Sequence, residues 1–382
     1  MQNGVKTTQS NVNKSFMKVK EVEKVASSGL FATLADLGHE QVVFCNDPVT
    51  GLKAIIAIHN TVLGPALGGT RMWNYATEEE ALTDVLRLSR GMTFKSAISG
   101  INLGGGKAVI IGDAKTQKTE AFLRRFGKFV NSLNGKYITA EDVNMKTADM
   151  EYIRMETRHV TGLPESMGGG GDPSPVTAYG VYVGMKAAAK RTFGTDSLNG
   201  KKVAVQGVGQ VGTHLVEYLI KENANVVITD LSNEKVAAVS AKYGVETVTM
   251  DQIFNVDMDI FAPCALGGVL NGDTIPKLNC AVIAGAANNQ LKDETHHGYM
   301  LKDRGIVYAP DFLINAGGVI NVFNEYEGNY NRKRVLEQVE KIYQTCESIL
   351  QLADAEKLSS QEAAIQLAER RIADIGRIRM SR

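Results

Sequence analysis

The chain has 382 residues, more than one hydrophobic core usually serves, so two domains with a cleft between them are expected. Lys plus Arg and Asp plus Glu balance at 42 each, which leaves no electrostatic footprint for nucleic acid or an anionic membrane surface and points to a small-molecule partner. The four cysteines, Cys45, Cys264, Cys280 and Cys346, are scattered without a CxxC pair, which argues against a disulfide framework and a zinc site and for a reducing compartment.

Residues 1–17 are polar and lack the apolar core of a secretory signal, so they read as a disordered tail, and a short amphipathic helix is expected over Val19–Ser27. No apolar run is long enough to span a bilayer, and the expected location is cytoplasmic. Gln41–Cys45 and Leu52–His59 read as strands joined by the turn Asn46–Gly51. Thr77 caps a helix running to Gly91, with Glu80 as its capping-box partner. Where that helix is expected to end, the stretch Gly91–Lys107 places two lysines, Lys95 and Lys107, around an apolar turn, the second directly after Gly104-Gly105-Gly106. Taken alone, two lysines near glycines read as surface cations. The alternative is chemical: the glycines leave room for a substrate, and one ammonium lowers the proton affinity of the other until an amine can serve as a base. The triplet is not a phosphate loop of the Walker type, because Ala108 and not a hydroxyl residue follows Lys107.

Ala108–Ile111 then reads as a buried strand, Lys118–Leu133 as a helix and Tyr137–Ala140 as a further strand that carries Asp142 at its carboxyl edge, where open sheets place ligands. The run Gly168–Pro175 marks a domain boundary. A long helix over Val176–Phe193 follows, and Lys202–Gln206 is a strand leading into Gly207-Val-Gly209-Gln-Val-Gly212, a helix, a second strand and Asp230. A lone GxGxxG is weak, but glycines between a strand and a helix, with an acid at the end of the next strand, fit a dinucleotide. The glycines admit backbone amides to a pyrophosphate and the helix N-terminus favours its charge. Asp230 is expected to accept hydrogen bonds from both adenosine ribose hydroxyls and to repel a 2′-phosphate, which favours NAD over NADP. Strand-helix pairs continue to Ala309, and Arg332–Glu356 and Ser360–Arg377 read as two long amphipathic helices. The six histidines are dispersed apart from His296-His297 on an expected surface turn, and no metal site is predicted.

With Lys95, Lys107, Asp142, the glycine fingerprint, Leu63-Gly-Pro-Ala-Leu-Gly-Gly-Thr-Arg-Met72, Tyr137-Ile-Thr-Ala-Glu-Asp142, Ala284-Gly-Ala-Ala-Asn-Asn-Gln290 and Asn315-Ala-Gly-Gly318 in hand, the sequence resembles the glutamate/leucine/phenylalanine/valine dehydrogenases over about Leu30–Ala353. The resemblance implies an α/β fold of two domains. These are a substrate domain at 18–167 and a Rossmann-type, doubly wound NAD-binding domain at 176–325, with C-terminal helices at 326–382 returning to the first domain. It implies that Lys95 binds the substrate carboxylate, Lys107 is the catalytic base, and Asp142 relays protons and steadies the imine. Gly68 and Gly69 would lend backbone near the substrate, Asn288 or Asn289 would lie near the nicotinamide ribose, and Thr177 near the carboxamide. Leu67, Val319 and Val322 would surround the substrate side chain. All three are apolar, so the distal carboxylate of glutamate would be buried without a partner, and branched aliphatic amino acids are the expected substrates. The remaining alternatives are a phenylalanine-type enzyme and a catalytically silent NAD-binding regulatory protein of the same fold. Relatives assemble as homo-oligomers, often octamers.

Overall fold

In the computed structural model residues 29–380 are described, and the tail expected over 1–17 and the helix expected over Val19–Ser27 lie outside them. The first sheet begins after α1 (Gly29–Leu37) with β1 (Gln41–Asp47) and β2 (Leu52–Asn60), an antiparallel pair whose turn is tied by Asp47 accepting the Thr50 amide and hydroxyl. β3 (Ala66–Trp73), α2 (Glu78–Ile98), β4 (Gly104–Ile111), α3 (Glu120–Ser132), β5 (Tyr137–Glu141) and α4 (Thr147–Arg154) complete it, in the strand order β1-β2-β4-β3-β5. The strand period of two sorts the central strands between two layers. Ile55, Ala57 and Val109 pack with Leu82, Val85 and Leu86 of α2, whereas Ile56, Ile58 and Ile110 pack with Phe122, Phe126 and Val130 of α3. Lys107 shares the parity of Val109 and therefore faces the α2 side.

Two local expectations are corrected here. The helix capped by Thr77 does not stop at Gly91 but continues to Ile98, so Lys95 sits in its last turn and not in a loop. A helical glycine costs only about 1 kcal/mol relative to alanine, and the residues beyond it bury Thr93, Phe94, Ala97 and Ile98. The triplet Gly104–Gly106 is likewise no turn: it opens β4. A β-carbon on Gly105 would lie 2.1 Å from the Thr93 amide, and one on Gly106 would lie 2.8 Å from the Tyr137 ring. Close packing, of Gly105 under α2 and of Gly106 against Tyr137 on the other face, and not substrate access, is what these glycines provide.

The second sheet is parallel throughout. After α5 (Ser174–Phe193) come β6 (Lys202–Gln206), α6 (Gln210–Lys221), β7 (Asn225–Thr229), α7 (Asn233–Tyr243), β8 (Glu246–Thr247), β9 (Ile260–Pro263), β10 (Val282–Ile283), α8 (His296–Asp303) and β11 (Val307–Tyr308). The order β11-β10-β9-β6-β7-β8 reverses direction at β6, and the carboxyl end of β6 is where such sheets hold ligands. Val203, Val205, Ile228 and Ile260 are fully buried, as strands covered on both faces require. His296 and His297, expected on a surface turn, instead begin α8, and His297 is buried.

The chain then runs through α9 (Asp311–Ile314), α10 (Gly317–Glu327), α11 (Arg332–Glu356) and α12 (Ser360–Met380). The boundary expected after residue 325 falls inside α10. From that helix Glu325 reaches back to the glycine-rich connection, its two oxygens accepting the Leu163 and Gly170 amides at 3.1 Å each. α11 lies along α5, while α12 makes the expected return to the first half and packs on α2. There Arg371 closes the C-terminus of α2: its guanidinium donates to the carbonyls of Ser96, Ala97, Gly100 and Ile101 and to Asn102 Oδ1. A cation at this end also complements the helix dipole. Replacing Arg371 by Ala leaves those carbonyls without their donor and should lower stability by about 2–4 kcal/mol in a denaturant titration. Arg371→Lys should recover less than half of that loss, because an ammonium lacks the planar fork.

Candidate active site

A cleft of about 760 Å3 lies between the two sheets, and residues of both halves line it. On the first half, Lys107 is 4% exposed, and its Nζ sits 2.8 Å from Asp142 Oδ1. The other oxygen of that carboxylate, Oδ2, accepts from Arg71 Nε at 2.9 Å. Burial alone would raise the Asp142 pKa, but the Lys107 and Arg71 cations overrule it and hold the group well below the usual carboxylate range. Arg71 extends the network to Asp84 Oδ2 at 3.0 Å, an oxygen that also receives the Tyr75 hydroxyl at 2.6 Å.

Lys95 enters the same cleft from the last turn of α2, and its Nζ donates to Asn288 Oδ1 at 3.0 Å on the opposite wall. Its pKa is lowered to about 8, chiefly because protein replaces most of its water; Asp311 pulls it up and Lys107 pushes it down. Lys107 thus contributes to the shift of Lys95 only behind burial and Asp311, and its own ammonium is engaged by Asp142. Asn288 is itself held by Asn315, whose Nδ2 donates to Asn288 Oδ1 at 2.9 Å and to the Ala286 carbonyl at 3.1 Å. Asp311, buried at the start of α9, accepts the Gln290 and Phe312 amides and so anchors the 286–290 loop from below. Burial raises its pKa, against the pull of those amides and of Lys95. Asn289, with φ of 52°, also borders the cleft.

Leu67, Val319 and Val322 line the cleft, the first two buried and the third half-buried, and Ala140 lines it with them. Gly68 and Gly69 border it too, yet their lack of a side chain is dictated from behind. A β-carbon on Gly68 would lie 1.7 Å from the Gly106 carbonyl, and one on Gly69 would lie 2.3 Å from that of Glu141. The Gly68 carbonyl is taken by the Tyr137 hydroxyl at 2.6 Å.

Each fingerprint glycine has a separate reason. Gly207 has φ of 104°, and a β-carbon there would meet Ala265 at 2.8 Å, while one on Gly212 would meet the Gly207 carbonyl at 2.0 Å. A β-carbon on Gly209 would meet nothing within 4 Å. Gly209 caps α6 with no side chain over its first amides, so an anion can approach them directly, as a dinucleotide pyrophosphate requires. Asp230 does more than wait for a ribose: its Oδ2 accepts the Val208 amide at 2.8 Å and its Oδ1 the Ser232 amide at 2.9 Å. It thus fixes the glycine turn, and each oxygen keeps a second lone pair. A cavity of about 370 Å3 beside it, walled by Val236, Val248, Thr249 and Gln252, has room for a base and sugar. Thr177 lines the main cleft with its hydroxyl donated to the Pro173 carbonyl at 3.0 Å. The residues present therefore fit a dinucleotide.

Comparison with known proteins places this geometry. Residues 39–159 match the model of the Glu/Leu/Phe/Val dehydrogenase dimerisation domain, and residues 168–232 and 228–379 match that of the Glutamate/Leucine/Phenylalanine/Valine dehydrogenases. The chain belongs to this family. It is an amino-acid dehydrogenase, and the chemistry of that family uses a nicotinamide cofactor. The leucine dehydrogenase of Geobacillus stearothermophilus is 55% identical over 343 residues, covering 90% of this chain and 93% of the relative. The L-tryptophan dehydrogenase of Nostoc punctiforme is 48% identical over 90% of this chain and 96% of its own. A crystal structure of L-tryptophan dehydrogenase from Nostoc punctiforme superimposes with a TM-score of 0.80 at 46% identity, covering 91% of this chain and 99% of that one. Among the described residues no helix is long and apolar enough to cross a membrane.

Sequence reasoning missed Arg71, Asp84 and Asp311. Arg71 stands in the segment 63–72 that carries the family resemblance, but its partner Asp142 is 71 positions away. The glycines yield a direct test. Gly209→Ala should leave the melting temperature unchanged and weaken NADH binding roughly tenfold, because its methyl enters only the cofactor's space. Gly212→Ala should lower the melting temperature as well, and calorimetry beside a fluorescence titration separates the two.

Proposed function

We propose that the chain catalyses NAD-linked oxidative deamination of the branched aliphatic amino acids leucine, valine and isoleucine, and the reverse reductive amination. The observation that carries this reading is the Lys107–Asp142 pair on the floor of a cleft that also presents Lys95 and the apolar trio Leu67, Val319 and Val322. The identity to leucine dehydrogenases supports the substrate class. An amino acid, NAD+ and water give the 2-oxo acid, ammonium, NADH and one proton. When bound, the nicotinamide ring accepts the hydride that leaves the substrate Cα.

The chain's own residues do the rest. Lys95 holds the substrate carboxylate. Lys107 in its neutral form takes a proton from the water that adds to the iminium carbon. Asp142, kept ionised by two cations, steadies the positive nitrogen, which favours that part of its expected role over carrying protons. Gly207, Gly209 and Gly212 seat the pyrophosphate, Thr177, Asn288 and Asn289 border the nicotinamide end, and the carboxylate of Asp230 excludes a 2′-phosphate. We divide the chain into a substrate half at 18–167, a connection at 168–175, a dinucleotide half beginning at 176, and C-terminal helices. We place it in the cytoplasm, on four unpaired cysteines, and as a homo-oligomer, which the matched dimerisation domain supports, the octamer being implied by family resemblance alone.

Purified protein should reduce NAD+ with leucine, valine and isoleucine at kcat/KM values within roughly 200-fold of one another. Turnover of glutamate in preference to all three would overturn the pocket assignment. Lys107→Ala should lower kcat by roughly a thousandfold while NADH binding stays within about twofold. Equal loss of both would make Lys107 structural.

The lowered pKa of Lys95 makes a second prediction. An ammonium whose pKa is about 8 is charged below that pH and loses its hold on a carboxylate above it. Isocaproate, which is leucine without its amino group, should bind the NADH complex with a constant Kd below about pH 7 and a Kd rising roughly tenfold per pH unit well above 8. Lys95→Ala should bind it weakly at every pH, with that slope gone.

A further inference from the structure

Arg71 touches no substrate group in the chemistry above, yet it holds the oxygen of Asp142 that Lys107 does not. It projects from β3 with a side chain 24% exposed and joins two carboxylates, Asp142 through Nε at 2.9 Å and Asp84 through Nη1 at 3.0 Å. The result is a chain of alternating charge, Lys107–Asp142–Arg71–Asp84, ended by the Tyr75 hydroxyl. We propose that Arg71 is a positioning residue of the reaction centre, keeping Asp142 ionised and oriented while Lys107 gives up and retakes its proton.

The argument rests on the roles proposed above for Lys107 and Asp142. Once Lys107 is neutral, a carboxylate paired with it alone would be a buried charge without a partner. Such a carboxylate holds the ammonium proton back. A guanidinium suits the second position because it carries five donors in a fixed fork and does not deprotonate in the working range. With one oxygen assigned to each cation, Asp142 stays paired when one of them loses its charge. Asp84 matters through Arg71: it draws part of the guanidinium charge away from Asp142, so its removal acts with the opposite sign to removal of Arg71.

The other titratable or charged groups that line the cleft are Lys95 and Arg87 from α2, Glu141 beside Asp142, and Lys292 and Asp311 across it, with Tyr137 of β5 buried nearby. None of them touches Asp142 Oδ2, which accepts from Arg71.

The test compares wild type with Arg71→Gln, Arg71→Lys, Asp84→Asn and Lys107→Ala as full chains, measuring NADH binding and leucine oxidation across pH. For Arg71→Gln the rising limb of kcat should move up by about one pH unit, with a loss of roughly tenfold at a pH on that limb. Arg71→Lys should return the limb to its wild-type position with part of the rate. Asp84→Asn should move it down. A purely structural role predicts an equal loss at every pH, so an unmoved limb in Arg71→Gln, or a limb in Arg71→Lys no better placed than in Arg71→Gln, overturns the proposal. Should Arg71→Gln fail to bind NADH, Asp84→Asn decides: a downward shift supports the assignment and an unmoved limb overturns it. Retained turnover in Lys107→Ala would instead remove the base assignment itself, and the Arg71 proposal with it. A silent Lys107→Ala beside an unmoved limb in Arg71→Gln would remove the Arg71 proposal alone.

Discussion

The carboxylate of Asp142, divided between an ammonium and a guanidinium, is the interaction on which the cleft depends. Ion pairs away from bulk water repay their desolvation only when the geometry is held tightly. The frame that holds this one is made of backbone in close approach. β3 runs between β4 and β5 so near that Gly68 and Gly69 cannot carry a β-carbon, and the strand thereby sets Arg71 beside the end of β5 and the ammonium on β4. Several of the glycines that suggest openness in the sequence are positions of greatest crowding in the fold.

The same frame explains how the two halves share one site. Lys95 belongs to the first half by sequence and to both by contact, since its amine is bonded to Asn288 across the cleft. Its placement rests on α2 reaching Ile98, and the end of α2 rests on Arg371 from the far end of the chain. A cleft-lining position near residue 95 is thus secured by a side chain more than 270 residues later. Asp311 plays a comparable part on the opposite wall by anchoring the loop that carries Asn288.

What could be read from sequence follows the range of the interactions. The strand–glycine–helix–strand–acid unit from Lys202 to Asp230 was legible because its glycines, dipole and carboxylate act within about thirty residues, and short-range pattern is what a sequence exposes. Lys95, Lys107 and Asp142 could be singled out as chemistry-bearing groups. Their true settings could not, because β3 carries a Gly-Gly pair that lowers strand propensity and Gly91 looks like a helix stop. Tertiary packing overrode both signals. The Arg71–Asp142 and Lys95–Asn288 contacts join positions 71 and 193 apart, and no periodicity marks such pairs.

The bond between Glu325 and the glycine-rich connection has a mechanical consequence. Its carboxylate fastens both Leu163 and Gly170 to α10, the helix that also carries Val319 and Val322. Leu67, the facing wall of the same recess, is on β3 in the other half. The apolar recess that we propose for the substrate side chain is thus a mould cast in two pieces, with one piece bolted to the joint itself. A swing of one half about that joint would part the mould along the substrate, so the bulk of the side chain would be gauged by whether the two pieces can meet.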